Sequence, residues 1–372
     1  DLHSKFTING VRYTLVNDIA TLAAGIAANP SGAFALAKDY DAAADGIYQK
    51  PPIATKFTGS FEGLSHLIDH LTINGQMKFG VARSGLFAWI YRNGDIAGSV
   101  RDLNLRHAKV SSKARKVEIG ILAGENDGSI AHVLVSGRVT ALGEHAEAGG
   151  MVGSNGYQAI IQSSSAVGID VSADNYHGRA GGIAGLNWSQ ADIYRSVATG
   201  TASGHLVGGL VGENSGVGAI SQSYADVAIP SVDNGLAGGL VALNNFAITD
   251  CYSLGAVSGH VAAGFDAKNT KFGYIRTSYS TGLVTGSQAP GGFASDEEAS
   301  DNALAADYWN LDTSGIADPS RGCGNIPNCP GVTGLTDAQL KSGLPDGFDP
   351  NIWGQSPNIN NGYPYLLANP PQ

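Results

Sequence analysis

Four histidines, His145, His177, His205 and His260, each stand three or four residues before a glycine pair or its equivalent. Imidazoles recurring at one position of a pattern can hydrogen-bond a ligand or move a proton. The segments that carry them also hold Glu144, Glu147, Asp170, Asp174, Arg179 and Asp233, while Asp226 and Asp266 fall on adjoining stretches. Carboxyl groups brought together from such segments could cleave or transfer a glycosidic bond by general acid/base catalysis. Side chains that recur with a repeat and simply face water would leave the same trace. The candidate ligand-binding set is Glu144, His145, Glu147, Asp174, His177, Arg179, His205, Asp233, His260 and Asp266, with no catalytic residue singled out.

Familiar chemical signatures are missing. There is no phosphate loop, no Gly-x-Ser-x-Gly, no His-Glu-x-x-His and no calcium loop of spaced aspartates. No zinc ligand set or cofactor motif stands out. Tyr224, Tyr252 and Tyr279 share one repeat position. Exposed, such a column would suit sugar stacking; its alternation beside isoleucine favours a role in capping the core. Cys323 and Cys329, with five residues between them in a Gly- and Pro-containing stretch, suit a small disulfide-closed loop, with two free thiols as the alternative. Cys251 stands alone and reads as a small buried hydrophobe.

A repeat must position these groups. One half is a glycine pair, an apolar triplet and an asparagine. It is seen at Gly149-Gly150-Met151-Val152-Gly153-Ser154-Asn155, Gly181-Gly182-Ile183-Ala184-Gly185-Leu186-Asn187 and Gly208-Gly209-Leu210-Val211-Gly212-Glu213-Asn214. Gly238 to Asn244 is a further copy, and degenerate ones run from Gly120, Ala263 and Gly291. The other half reads Ile-x-x-Ser-Tyr-x-x-Gly-x-Val, as in Ile248 to Val257 and Ile275 to Val284. Asn126, Asn155, Asn187, Asn214, Asn244 and Asn269 are 25 to 32 residues apart, which suits one turn of three short strands with tight bends. Strands this short cannot bury a face alone, so each turn must stack on its neighbours in parallel. The expectation is an all-β, right-handed parallel β-helix of about nine coils, with the asparagines forming a shared ladder and glycine supplying unusual backbone shapes at corners.

Residues 1–56 read as an N-terminal cap and first strands, 57–300 as the β-helix, and 301–372 as an irregular C-terminal cap with the disulfide loop. The run Leu15 to Ala28 reads as a helix shielding the first coil edge, and Thr336 to Lys341 as a short second helix.

Lys and Arg total 22 against 32 Asp and Glu, a net charge of -10, which argues against a nucleic-acid or anionic-membrane partner. No apolar run is long enough to span a bilayer. Asp1-Leu2-His3-Ser4-Lys5 lacks the parts of a signal peptide, so the expectation is a removed leader or one region of a longer exported chain.

The repeat residues resemble the GLUG motif, named for Gly-Leu-x-Gly, of large bacterial exoproteins such as filamentous-haemagglutinin-type adhesins and accessory regions of some IgA-specific peptidases. Phe57 to His66 resembles the opening of such arrays, and Tyr308 to Gly315 and Gly362 to Leu366 resemble their ending. Asp266, where other copies have Val or Ala, and Ala242, where most have Gly, depart from the pattern. The resemblance implies an exported, cell-surface or secreted module. It would bind glycans or a host or self surface protein along its flank, without a cofactor. The alternative is a polysaccharide-active β-helix enzyme (glycoside hydrolase, transglycosylase or lyase) using Asp and Glu on one face.

Overall fold

Short apolar runs recur along the chain, and each is buried by stacking on its equivalent one coil away. A computed structural model describes residues 6–76, 80–173, 176–230, 232, 234–298 and 303–371. The chain is almost entirely β and forms a parallel β-helix of about ten turns. Each full turn contributes to four ladders, two in twelve-stranded sheets and two in eight-stranded sheets. Ladder one includes Ser129–Ala131, Ile160–Gln162, Asp192–Tyr194 and Ala219–Ser221. The longer strands of ladder two include Leu134–Ala141, Ser165–Ala173 and Val197–Ser203. Ladder three includes Lys116–Ile119, His145–Gly149, Arg179–Gly181 and Leu206–Gly208, and ladder four Ala123–Asn126, Val152–Asn155, Ala184–Asn187 and Val211–Asn214.

Four strands per turn replace the expected three because the glycine pair bends one side sharply. A Cβ on Gly149, Gly181, Gly208 or Gly238 would lie within 2.1 Å of the backbone oxygen three residues on, so only glycine fits. These glycines do not supply left-handed backbone. That conformation appears two corners earlier, between ladders one and two, at His132, Ser163, Arg195, Gln222, Asp250 and Thr277, whose φ lies between 45° and 53°. Their amides bond the next coil, as Arg195 N–H does to the Ser221 carbonyl at 3.1 Å, which offsets the conformational cost.

Inside, Ile130, Ile161, Ile193, Ile220, Ile248 and Ile275 form one fully buried column in register. Burying each such side chain contributes roughly 1.5–3 kcal/mol. The asparagines form the expected ladder. Each side-chain amide from Asn126 to Asn244 donates to the next asparagine's Oδ1 at 2.8–2.9 Å, and Asn269 donates to Glu297 at 3.0 Å. Cys251 is fully buried, its thiol 3.1 Å from the Thr249 carbonyl.

At the N-terminal end the helix is Ile19–Ala28, capped by Asp18, and it buries Ile19, Leu22 and Ile26 against the first coils. Leu15, assigned to that helix from sequence, lies in the strand Val11–Val16 instead. Cys323 and Cys329 form a disulfide with their Cα atoms 5.6 Å apart. The short second helix is Asp337–Leu340, closed by a Thr336–Gln339 capping box. Among the described residues no helix is long and apolar enough to cross a membrane.

Candidate functional site

The histidine row forms in part. His145 aligns with Lys116 at the start of ladder three, and its ring stacks on His177 at 5.3 Å. His205 lies edge-on to His177 at 6.4 Å and stacks with Tyr176 at 5.6 Å. Burial, with the neighbouring His177, holds the His205 imidazole below its usual pKa. His260 stands apart, because Gly235 occupies the rung between it and His205. It faces an open depression of about 560 Å³ and contacts Ser287 Oγ at 2.9 Å. Glu144 beside His145 is exposed and paired with Arg115 at 2.6 Å, a contact that holds its carboxyl below the ordinary range. Asp174 and Asp233 lie outside the described residues.

Glu147 and Arg179 belong elsewhere. They sit on strands rather than connecting loops, in a trough where ladders three and four meet. Residues seven apart across the glycine corner, six apart in the first coil, face each other there. Arg83, Glu118, Glu147 and Arg179 align along ladder three; Trp89, Glu125, Ser154, Leu186 and Glu213 align along ladder four. Arg83 Nε lies 2.5 Å from Glu125 and 2.8 Å from Glu118, and Arg179 Nε lies 2.5 Å from Glu213. Carboxyl groups outnumber the two guanidinium groups, and little water reaches them. Burial, reinforced by Glu125, pushes Glu118 up to about 8. Burial raises Glu147 to about 7, and burial with Glu125 raises Asp127 to about 7. The trough therefore favours the protonated over the charged form of these carboxyl groups, Glu118 most strongly. Lys56 and Arg83 both lie over the Trp89 ring, at 4.2 and 4.0 Å, so that ring is already engaged. The sequence signal for this site was the Glu of Gly124-Glu125-Asn126 and Gly212-Glu213-Asn214, which substitutes a variable position of the repeat.

An aromatic corner lies just beyond the asparagine ladder. Tyr157, Trp188 and Phe272 are 60%, 38% and 67% exposed, each one to three residues past a ladder asparagine. Phe246 and Tyr274 extend the row, their rings edge-on at 5.7 Å. Around Tyr157 and Trp188 the amides of Gln158 and Gln190 meet at 3.2 Å, and Ser189, Ser215 and Val217 complete an open pocket of about 580 Å³. Trp188 Nε1 donates to Ser154 Oγ at 3.0 Å, which fixes the indole against ladder four. Aromatic faces beside amides and hydroxyls can stack on sugar rings and bond their hydroxyl groups.

One sequence candidate changes character, and the tyrosine column takes its favoured, core-capping reading. Asp266 occupies the inward position held by Val211 and Val241 on earlier coils, and it is fully buried. It touches no solvent and cannot meet a ligand. Burial drives its carboxyl well above the usual range, and the Lys268 backbone N–H counters this only in part. The Tyr224, Tyr252 and Tyr279 column is also buried, its rings stacked at 4.6 and 5.2 Å. The C-terminal tail lies over it, with Trp353 about 6 Å from both Tyr252 and Tyr279.

No protein-family profile matches the chain. A stretch of 110 residues, 30% of the chain, is 30% identical to halomucin of Haloquadratum walsbyi, and the match spans 1% of that protein's length. The chain is similar to a crystal structure of a Bacteroides ovatus protein provisionally assigned as an immunoglobulin A1 protease, with 18% identity, a TM-score of 0.52, and coverage of 96% and 93% of the two chains. A structure named IgA1 protease is similar over 77% of this chain and 20% of its own, with 18% identity and a TM-score of 0.43. At such identity the likeness to the Bacteroides protein is one of fold, and it covers the β-helix from end to end.

Proposed function

We propose that this chain is an extracellular module of a longer exported protein, and that its aromatic corner binds an extended glycan in the manner of an adhesin. The observation that carries this reading is the exposed Tyr157–Trp188 pair beside the Gln158–Gln190 amides. Phe246 and Phe272 prolong the same edge across later coils, as a chain-like ligand needs. The Cys323–Cys329 disulfide fits an oxidising compartment, and the resemblance to GLUG repeats fits export. Glycan-array screening, followed by titration of tryptophan fluorescence, tests the proposal. Binding should be lost in Trp188→Ala and Tyr157→Ala. An array that stays blank at every concentration would count against it.

The carboxylate trough supports a second reading, a carbohydrate-active enzyme. Glu118 carries a raised pKa beside Glu125, the pairing that general acid catalysis uses. Both carboxyl groups, however, converge on one Arg83 nitrogen, which leaves no room for a glycosidic bond between them. Assay of reducing-end release from oligosaccharides, with Glu118→Gln as control, separates this reading from simple binding.

A further inference from the structure

We propose that Asp69, His70 and His107 form a site for one divalent transition-metal ion of the zinc class, which ties together two successive coils near the N-terminal end of the solenoid. His70 and His107 occupy the same place on neighbouring coils, directly after the paired residues Asp69 and Arg106. At that place ladder two bulges, and both histidines take left-handed backbone with φ of 54° and 49°. The bulge turns the two imidazoles outward side by side, their centroids 5.2 Å apart and nearly parallel. Both Nδ1 atoms face Asp69, at 2.7 Å for His107 and 3.5 Å for His70, and His70 Nδ1 also lies 3.1 Å from Asp41.

These separations decide the case. Donor atoms at the corners of a zinc tetrahedron stand roughly 3.3–3.5 Å apart, given bonds of about 2.0–2.1 Å. The three ligand atoms lie within 4.8 Å of one another, and rotation of these side chains can bring them onto one ion, with Asp41 at hand for a fourth position. Two neutral imidazoles and one or two carboxylates suit zinc, nickel or copper, whereas calcium and magnesium require oxygen ligands alone. The rings are exposed, so the ion needs no opening of the fold to enter. Nearby His66–Asp39 and His132–Asp102 pairs, at 2.9 and 3.4 Å, each offer only two donors and lack this convergence.

The test is calorimetric titration of the full chain with Zn²⁺, with Co²⁺ absorption as a spectroscopic report of imidazole ligation. His70→Asn and His107→Asn are suitable variants, because asparagine tolerates left-handed backbone. The wild-type chain should bind one equivalent and gain thermal stability with it. Either single variant should weaken binding by about tenfold or more, and the double variant should abolish both heat and visible absorption. A His145→Asn/His177→Asn control should bind as the wild type does. Equal binding by the His70→Asn/His107→Asn double variant, loss of binding in the control instead, or no binding by the wild-type chain would each overturn the proposal.

Discussion

Two rows of aromatic residues run along this solenoid at recurrent positions of the same repeat, yet one is stacked and sealed and the other open. Tyr224, Tyr252 and Tyr279 lie under the C-terminal tail, where Phe348, Trp353, Tyr363 and Leu366 cover them and the Tyr279 hydroxyl donates to the Pro364 carbonyl at 2.6 Å. Tyr157, Trp188 and Phe272 protrude at a different corner, where no described segment covers them. The repeat sets the spacing in both cases. Exposure is set by where a distant segment folds back, a contact across 85 residues in the case of Tyr279 and Pro364.

That contrast can be broken from the sealed side first. Trp353→Ala removes a fully buried ring from the covering layer, and large-to-small changes of this kind cost about 3–5 kcal/mol. Chemical denaturation should show the loss, and near-UV circular dichroism should report freed tyrosines. Unchanged spectra would mean that the tail is not what seals the column. Next in size is Asn187→Ala, which breaks the asparagine ladder and strands the amide of Asn155 and the oxygen of Asn214. Leaving such groups unpaired costs about 1–3 kcal/mol, measurable as a lower denaturation midpoint. Asp266→Val should act in the opposite direction. It replaces a buried carboxyl, whose oxygens lack well-formed hydrogen bonds, with the residue that Val241 supplies one coil earlier. A gain on the order of 1 kcal/mol is expected.

A further test varies pH. Glu118 and Glu147 keep their protons to about 8 and about 7, whereas unfolded glutamate releases its proton near 4.5. Between those values the native chain binds more protons than the unfolded chain, so stability falls as pH rises from about 4.5 to about 8. Replacing both with glutamine should flatten that decline. A slope that persists in the double variant would place its origin elsewhere, for example at Asp266 or Asp307, which burial also raises.

Sequence spacing was informative wherever coils stack directly. Asn126 to Asn269 recur at the coil length, and a side chain at a recurrent position meets its own equivalent. His145 and His177 could be paired on the same ground. Glu118 and Glu125 were overlooked because their meeting depends on a corner between two ladders, which the repeat length does not encode. Asp266 was misjudged as a ligand contact because inward and outward positions within ladder four become distinguishable only once the register is known. The four strands per turn escaped notice because the glycine corner reads as one bend in a continuous segment. The tail's position over the tyrosines left no local trace at all.

Fluorescence titration of Trp188 with glycans selected on an array, run in parallel on wild-type, Tyr157→Ala and Tyr252→Phe chains, tests the central claim most directly. Saturable quenching that disappears in Tyr157→Ala and survives in Tyr252→Phe is the expected result. Quenching that depends on Tyr252 and ignores Tyr157, or no quenching with any glycan, would contradict the assignment of the open corner as the binding surface.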